Sequence, residues 1–166
     1  TILFIGFAGE EFGLLGAQAW VKAHKDKLPK IANLFNRDGG PEPPVGISVP
    51  QAMYDDFVKI SEPIQKIRPD YPFEVKVREP RKRPTRMGGT DASVFAIEGV
   101  PTLGFTTEDF KGYDFDYGEI WHTERDLYTK NIPEYQEHTA TVTAIIALGV
   151  ANLDKQLSRE GLYTEE

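Results

Sequence analysis

Two carboxylates side by side, Glu10 and Glu11, follow an apolar run from Thr1 to Phe7 and stand between Gly9 and Gly13. Adjacent carboxylates repel, and each raises the pKa of the other. A divalent cation reverses that cost and leaves one acid free to act as a base on bound water. The same pair could instead be the acidic first turn of a helix, favoured by the macrodipole. A third acid, Asp38, lies in Asn36-Arg37-Asp38-Gly39-Gly40 after a second short apolar run, Ile31 to Phe35. Of the 3 histidines, His24 and His138 fall in helix-like stretches amid polar neighbours and read as solvent-facing. His122 differs: it ends a long loop and lies between Trp121 and Thr123-Glu124-Arg125-Asp126. An imidazole there could join Glu11 on a zinc ion, with Asp126 or a backbone carbonyl as support; a lone loop histidine could equally be structural.

These residues need elements that deliver them to one place. Thr1 to Phe7 reads as a strand buried on both faces of a parallel sheet. Open α/β sheets place ligands beyond the carboxyl ends of such strands. Helical spacing of Leu14, Ala17, Val21 and Leu28 predicts a helix from Phe12 to about Lys27, stopped before Pro29. Ile31 to Phe35 is expected as a second buried strand that brings Asp38 to the same sheet edge as Glu10 and Glu11. Pro41 to Pro50 reads as a proline-rich loop, and Gln51 to Lys66 as an amphipathic helix. Phe73 to Val77 alternates like a half-exposed strand. Gly88-Gly89-Thr90-Asp91 reads as a turn and N-cap for a helix from Ala92 to Ile97, which Gly99 ends. A strand from Pro101 to Phe105, a long loop from Thr106 to Gly118 and a closing helix from Pro133 to Leu157 complete the alternation. A central strand at the very start needs a parallel neighbour and a crossover before it. Residues 1–166 are therefore expected to form a single domain that is the C-terminal portion of a longer protein.

Composition narrows the possible functions. With 166 residues, 40% hydrophobic and 27% charged, the chain can bury a sizeable core. A net charge of -7 argues against nucleic acid as a partner. The basic loop Arg78 to Arg86 reads as a solvated rim, because no aromatics interleave it for base stacking. The apolar stretch Thr139 to Leu153 is too short and mixed to span a bilayer. With no cysteine there are no disulfides, which leaves the compartment open.

The residues also carry a family resemblance. Phe7-Ala8-Gly9-Glu10-Glu11-Phe12-Gly13-Leu14-Leu15-Gly16, Asn36-Arg37-Asp38, Gly89-Thr90-Asp91 with Phe95, Gly99-Val100-Pro101, and His122-Thr123 with Asp126 resemble, in order, the motifs of M28-family zinc exopeptidases. The match spans Ile2 to about Leu153. The resemblance implies an α/β, three-layer aminopeptidase-type fold with a mixed, mostly parallel central sheet flanked by helices. It implies hydrolysis of terminal peptide bonds with two zinc ions and export to the periplasm or the exterior; amino-terminal action is favoured over carboxy-terminal action, and the sequence does not settle between them. It further implies Glu10 as general base, Glu11 and His122 as ligands of one zinc, and Asp38 as ligand of the other. Arg86, Tyr113 or Tyr117 is a candidate for the oxyanion. Asp91 is a candidate for the substrate site or a helix cap, since Ala92 replaces the histidine that many members have next. The family's upstream histidine and bridging aspartate have no counterpart in the nine residues before Glu10, so the segment alone is expected to be inactive. The two other readings are a glutaminyl cyclase-like zinc acyltransferase and a non-catalytic receptor or interaction domain of the same fold. The sequence does not set the oligomeric state.

Overall fold

The computed structural model describes residues 1–164. Three strands form a mixed sheet in the order β2-β1-β3: β1 (Pro44–Val49), β2 (Glu74–Val77) and β3 (Phe105–Thr107). β1 is central, parallel to β2 and antiparallel to β3, with Ile47 opposite both Val75 and Phe105. The helices are α1 (Leu15–Ala23), α2 (Tyr54–Ile67), α3 (Ala92–Ile97), α4 (Tyr117–Ile120) and α5 (Pro133–Ala151). This is the expected α/β class, with helices covering a mixed sheet.

Burial separates the molecule into layers. Ile47 and Val49 of β1 pack with Phe57, Ile60 and Ile64 of α2 and with Val142 and Ile146 of α5. A second cluster joins Ala17 and Val21 of α1 to Val94 and Phe95 of α3. Between them runs the extended segment 31–35, whose Ala32 and Phe35 touch the first cluster while Ile31 and Leu34 touch the second. That two-sided pattern is what the sequence promised of a buried strand. A single backbone bond, from Leu34 N–H to the Pro101 carbonyl at 2.9 Å, is supplemented by a side chain: Asn33 Nδ2 donates to the Leu103 carbonyl at 3.1 Å, and Leu103 N–H donates to Asn33 Oδ1 at 2.8 Å. Segment 31–35 is therefore extended without forming a regular strand.

Four expectations need correction. Thr1 to Phe7 is not a buried strand; among the described residues it pairs with no strand, and Leu3 and Phe4 are 64% and 93% exposed. Burial requires hydrogen-bonding neighbours, and an apolar composition does not supply them. Pro41 to Pro50 is not a loop but contains the central strand, because Pro44 occupies the first strand position and Pro50 lies just past the end, where a missing N–H costs least. A register shift between Pro44 and Gly46 absorbs the missing donor. The strand expected at Pro101 to Phe105 forms later, at Phe105–Thr107. His138 is not solvent-facing: it is fully buried, stacked on Tyr71 at 3.9 Å, with Nε2 3.0 Å from the Pro44 carbonyl.

The C-terminal tail crosses back over the fold. Leu157 and Leu162 join the sheet-side core. Arg159 donates to the carbonyls of Gly99, Leu28 and Ile31, each at 3.1 Å, and Tyr163 bridges to Arg81. No helix among the described residues is long and apolar enough to cross a membrane.

Candidate active site

The acidic pair sits on a tight turn. The Glu10 carbonyl accepts N–H groups from Gly13 at 3.0 Å and Leu14 at 2.8 Å, and Gly16 N–H donates to the Ala8 carbonyl at 2.8 Å. A Cβ on Gly16 would lie 2.6 Å from the Ala8 nitrogen, so only glycine allows α1 to start this close to the turn. Leu14 takes the left-handed region, φ 60, and its side chain is buried in the α1–α3 cluster, which offsets a backbone cost of about 1–2 kcal/mol. Helix α1 consequently begins only at Leu15 and carries no acid in its first turn. Glu10 and Glu11 are thus not helix N-terminal acids, and the macrodipole account of the pair lapses.

His122 arrives from the other side. Asp116 Oδ1 accepts the Gly118 N–H at 2.8 Å and so caps α4, which ends at Trp121. His122 follows in the left-handed region, φ 56, with its ring beside that of Trp121. Its Nε2 lies 3.0 Å from Glu11 Oε1, both side chains being more than half exposed. Such an exposed contact stabilises the fold by about 1 kcal/mol or less, so its interest is chemical rather than structural.

Glu10, Glu11, Asp38, Thr90, Tyr117 and His122 line one open cavity of about 990 Å³. Arg37 shapes the wall beside Asp38 by donating to the carbonyls of Gly40 and Glu42. Desolvation, then the charges of Asp38, Glu11 and Asp91, push the Glu10 carboxyl above its ordinary value, with His122 opposing. Asp91 is buried, with no hydrogen-bond partner for Oδ1; desolvation and Asp38 push its carboxyl up as well. It does not cap α3. Thr90 instead accepts the Ala92 N–H on Oγ1 at 3.3 Å.

Of the residues singled out from sequence, six meet at this cavity: Glu10, Glu11, Asp38, Tyr117, His122 and Asp126. Three do not line it. Tyr113 gives its hydroxyl to Glu134, Asp91 lies behind the wall, and Arg86 is exposed elsewhere on the basic loop. That loop is largely tied into the fold, since Arg81 donates to Thr102 Oγ1 and Arg83 to the Ile97 carbonyl. The sequence reading missed Tyr128 and Lys130, which also line the cavity. Neither sits in a motif, so no local signal marks them. Carboxylate and imidazole are the donors zinc takes, and Glu11 with His122 offers one of each. Among the described residues, however, no three such side chains converge closely enough to hold an ion. The donor types fit zinc, and their number makes only part of a site.

The model of peptidase family M28 matches residues 1–146. The chain belongs to this family. It is 23% identical to mouse carboxypeptidase Q over 164 residues, covering 96% of this chain and 31% of that protein. Rat carboxypeptidase Q is 22% identical over the same length. The chain therefore spans about a third of the length of the curated relatives it matches. Among solved structures, a peptidase M28 precursor from Shewanella amazonensis superposes with a TM-score of 0.66 at 24% identity, covering 92% of this chain and 31% of that one. A zinc aminopeptidase from Bacillus subtilis gives 0.57 at 16% identity, covering 95% and 37%. At these identities the likeness establishes the fold.

Proposed function

We propose that this M28 chain carries part of the active site of a zinc-dependent exopeptidase that removes residues from the amino end of peptides. The observation that carries the reading is the turn-borne pair at the cavity, with Glu11 in contact with His122 and Glu10 beside it, paired with no Lys or Arg among the described residues. Glu11 and His122 would hold one zinc and Asp38 another, with further donors supplied by sequence beyond these residues. Bound zinc supplies Lewis acidity, lowering the pKa of water toward about 7 and polarising the scissile carbonyl.

The chain's own groups do the remaining work. The Glu10 carboxylate accepts the proton of the attacking water and returns it to the leaving amine. Tyr117 is the one candidate for the oxyanion that lines the cavity. The charges of the wall favour an amino-terminal substrate. Arg37 is spent on backbone carbonyls and Lys130 on Glu119, whereas Asp126 has no cation partner among the described residues. Carboxylates unpaired by cations suit an ammonium group better than a carboxylate.

The test uses the full-length protein that contains this chain. Glu10→Gln is expected to keep zinc, measured by elemental analysis, and to lose about 10²–10⁴-fold in turnover of an aminoacyl substrate. Glu11→Gln is expected to lose zinc. Equal zinc loss in both variants would reverse the assignment of base and ligand. Full-length protein that binds no zinc would overturn the exopeptidase reading.

A further inference from the structure

The loop between β3 and α4 is anchored to α5 by an arrangement that none of the cavity residues requires. Asp109 Oδ1 accepts the Tyr135 hydroxyl at 2.6 Å and the Tyr113 N–H at 3.0 Å, and Oδ2 accepts the Phe115 N–H at 3.5 Å. The Tyr135 oxygen in turn accepts the Lys111 N–H at 3.0 Å. One carboxylate and one phenol therefore organise three loop amides. Tyr135 is fully buried, and burial together with Asp109 pushes its hydroxyl up to about 12, so it remains a donor across the neutral range. Glu134, the neighbouring residue on α5, adds a second tie by accepting from Lys111 Nζ at 2.7 Å and from the Tyr71 hydroxyl at 3.1 Å.

The anchored loop leads straight to the cavity. Asp116 begins the capped turn of α4, Tyr117 lines the wall, and Trp121 N–H donates to the Tyr117 carbonyl at 2.9 Å just before His122. His122 holds a left-handed backbone on an exposed segment, a conformation its own side chain does little to enforce. Its placement must come from the elements on either side. Toward the N-terminus, that element is the loop held by Asp109.

We propose that Asp109, gripped by the buried Tyr135, is a positioning residue for the candidate active site: it fixes the loop that sets Tyr117, Trp121 and His122 in place. The consequence for turnover rests on the exopeptidase reading, whereas the placement of the loop does not. The test is hydrogen exchange by mass spectrometry on this chain as Asp109→Ala, Asp109→Asn and Tyr135→Phe, with kinetics on the full-length protein. Asparagine keeps one carbonyl oxygen where both short bonds converge, and phenylalanine keeps the buried ring while removing only the hydroxyl. Asp109→Ala and Tyr135→Phe are expected to speed exchange across residues 111–122 roughly tenfold, with β1 and α2 unchanged. Asp109→Asn is expected to restore most of the protection.

In the full-length protein, kcat/KM is expected to fall about tenfold in Asp109→Ala and to recover in Asp109→Asn. Exchange that rises equally in β1 and α2, that stays unchanged at 117–122, or that is as fast in Asp109→Asn as in Asp109→Ala overturns the proposal. Absence of any peptidase activity in the unaltered full-length protein would overturn the exopeptidase reading, while the exchange result would still decide the placement of the loop.

Discussion

Two extended segments occupy opposite situations in this molecule. Thr1 to Phe7 is almost wholly apolar, yet it lies on the surface with no strand beside it among the described residues. Pro44–Val49 is bracketed by prolines, yet it is the central strand, bonded on both edges and covered by α2 and α5. The difference shows that a strand's burial depends on what pairs with it. Hydrophobic side chains favour leaving water, but an extended backbone can enter a core only if its N–H and C=O groups find partners there.

Substitutions can break this contrast or sharpen it. The largest effect is expected at Ile47, where truncation to alanine opens a void against both neighbouring strands and should cost about 2–5 kcal/mol in urea unfolding. A loss below about 1 kcal/mol at this fully buried site would mean that β1 is not the centre of the core. Gly46→Ala comes next. A Cβ there would lie 2.4 Å from the Glu74 carbonyl oxygen, a backbone atom that cannot rotate away, so a loss of about 1–3 kcal/mol is expected. An unchanged unfolding midpoint would contradict the close β1–β2 pairing.

A smaller effect concerns pH. Burial, with Arg68 and Lys111 nearby, depresses His138 below its ordinary value of 6.5 despite the Pro44 carbonyl and Asp70, which act the other way. As pH falls through that value the unfolded chain takes up the proton first. Stability is thus fully present above about 6.5 and declines below it. His138→Phe, which keeps a ring under Tyr71, should remove that part of the decline; identical pH profiles for the two proteins would show that His138 is not its source. The smallest effect is expected in the exposed segment, where Phe4→Ser should change stability by less than about 0.5 kcal/mol while reducing self-association through the unpaired edge. Sedimentation at increasing concentration checks this, and a large stability loss would show that Phe4 is covered after all.

Much of the helical framework was legible because its signals are local. The period of Phe57, Ile60 and Ile64 marks α2, Gly99 ends α3, and Pro133 opens α5. Glu10, Glu11, Asp38 and His122 line one cavity as expected, although the two apolar runs expected to deliver the acids as strands form no regular strand. Non-local partners were not legible. The prolines around β1 hid a strand whose place depends on β2 and β3. His138 sits among polar residues in sequence but under Tyr71 in space. The bond between Asp109 and Tyr135 joins residues 26 positions apart, with no motif to announce it.

The tail separates two kinds of boundary. The family match stops at residue 146, inside α5, whereas the physical unit runs on. Leu157 and Leu162 fill the core, and Arg159 ties the segment after α1, through the Leu28 and Ile31 carbonyls, to the end of α3, through the Gly99 carbonyl. The family model and the packed unit therefore end at different residues. A protease cut at residue 146 would open the core that Leu157 and Leu162 fill and release the carbonyls that Arg159 gathers.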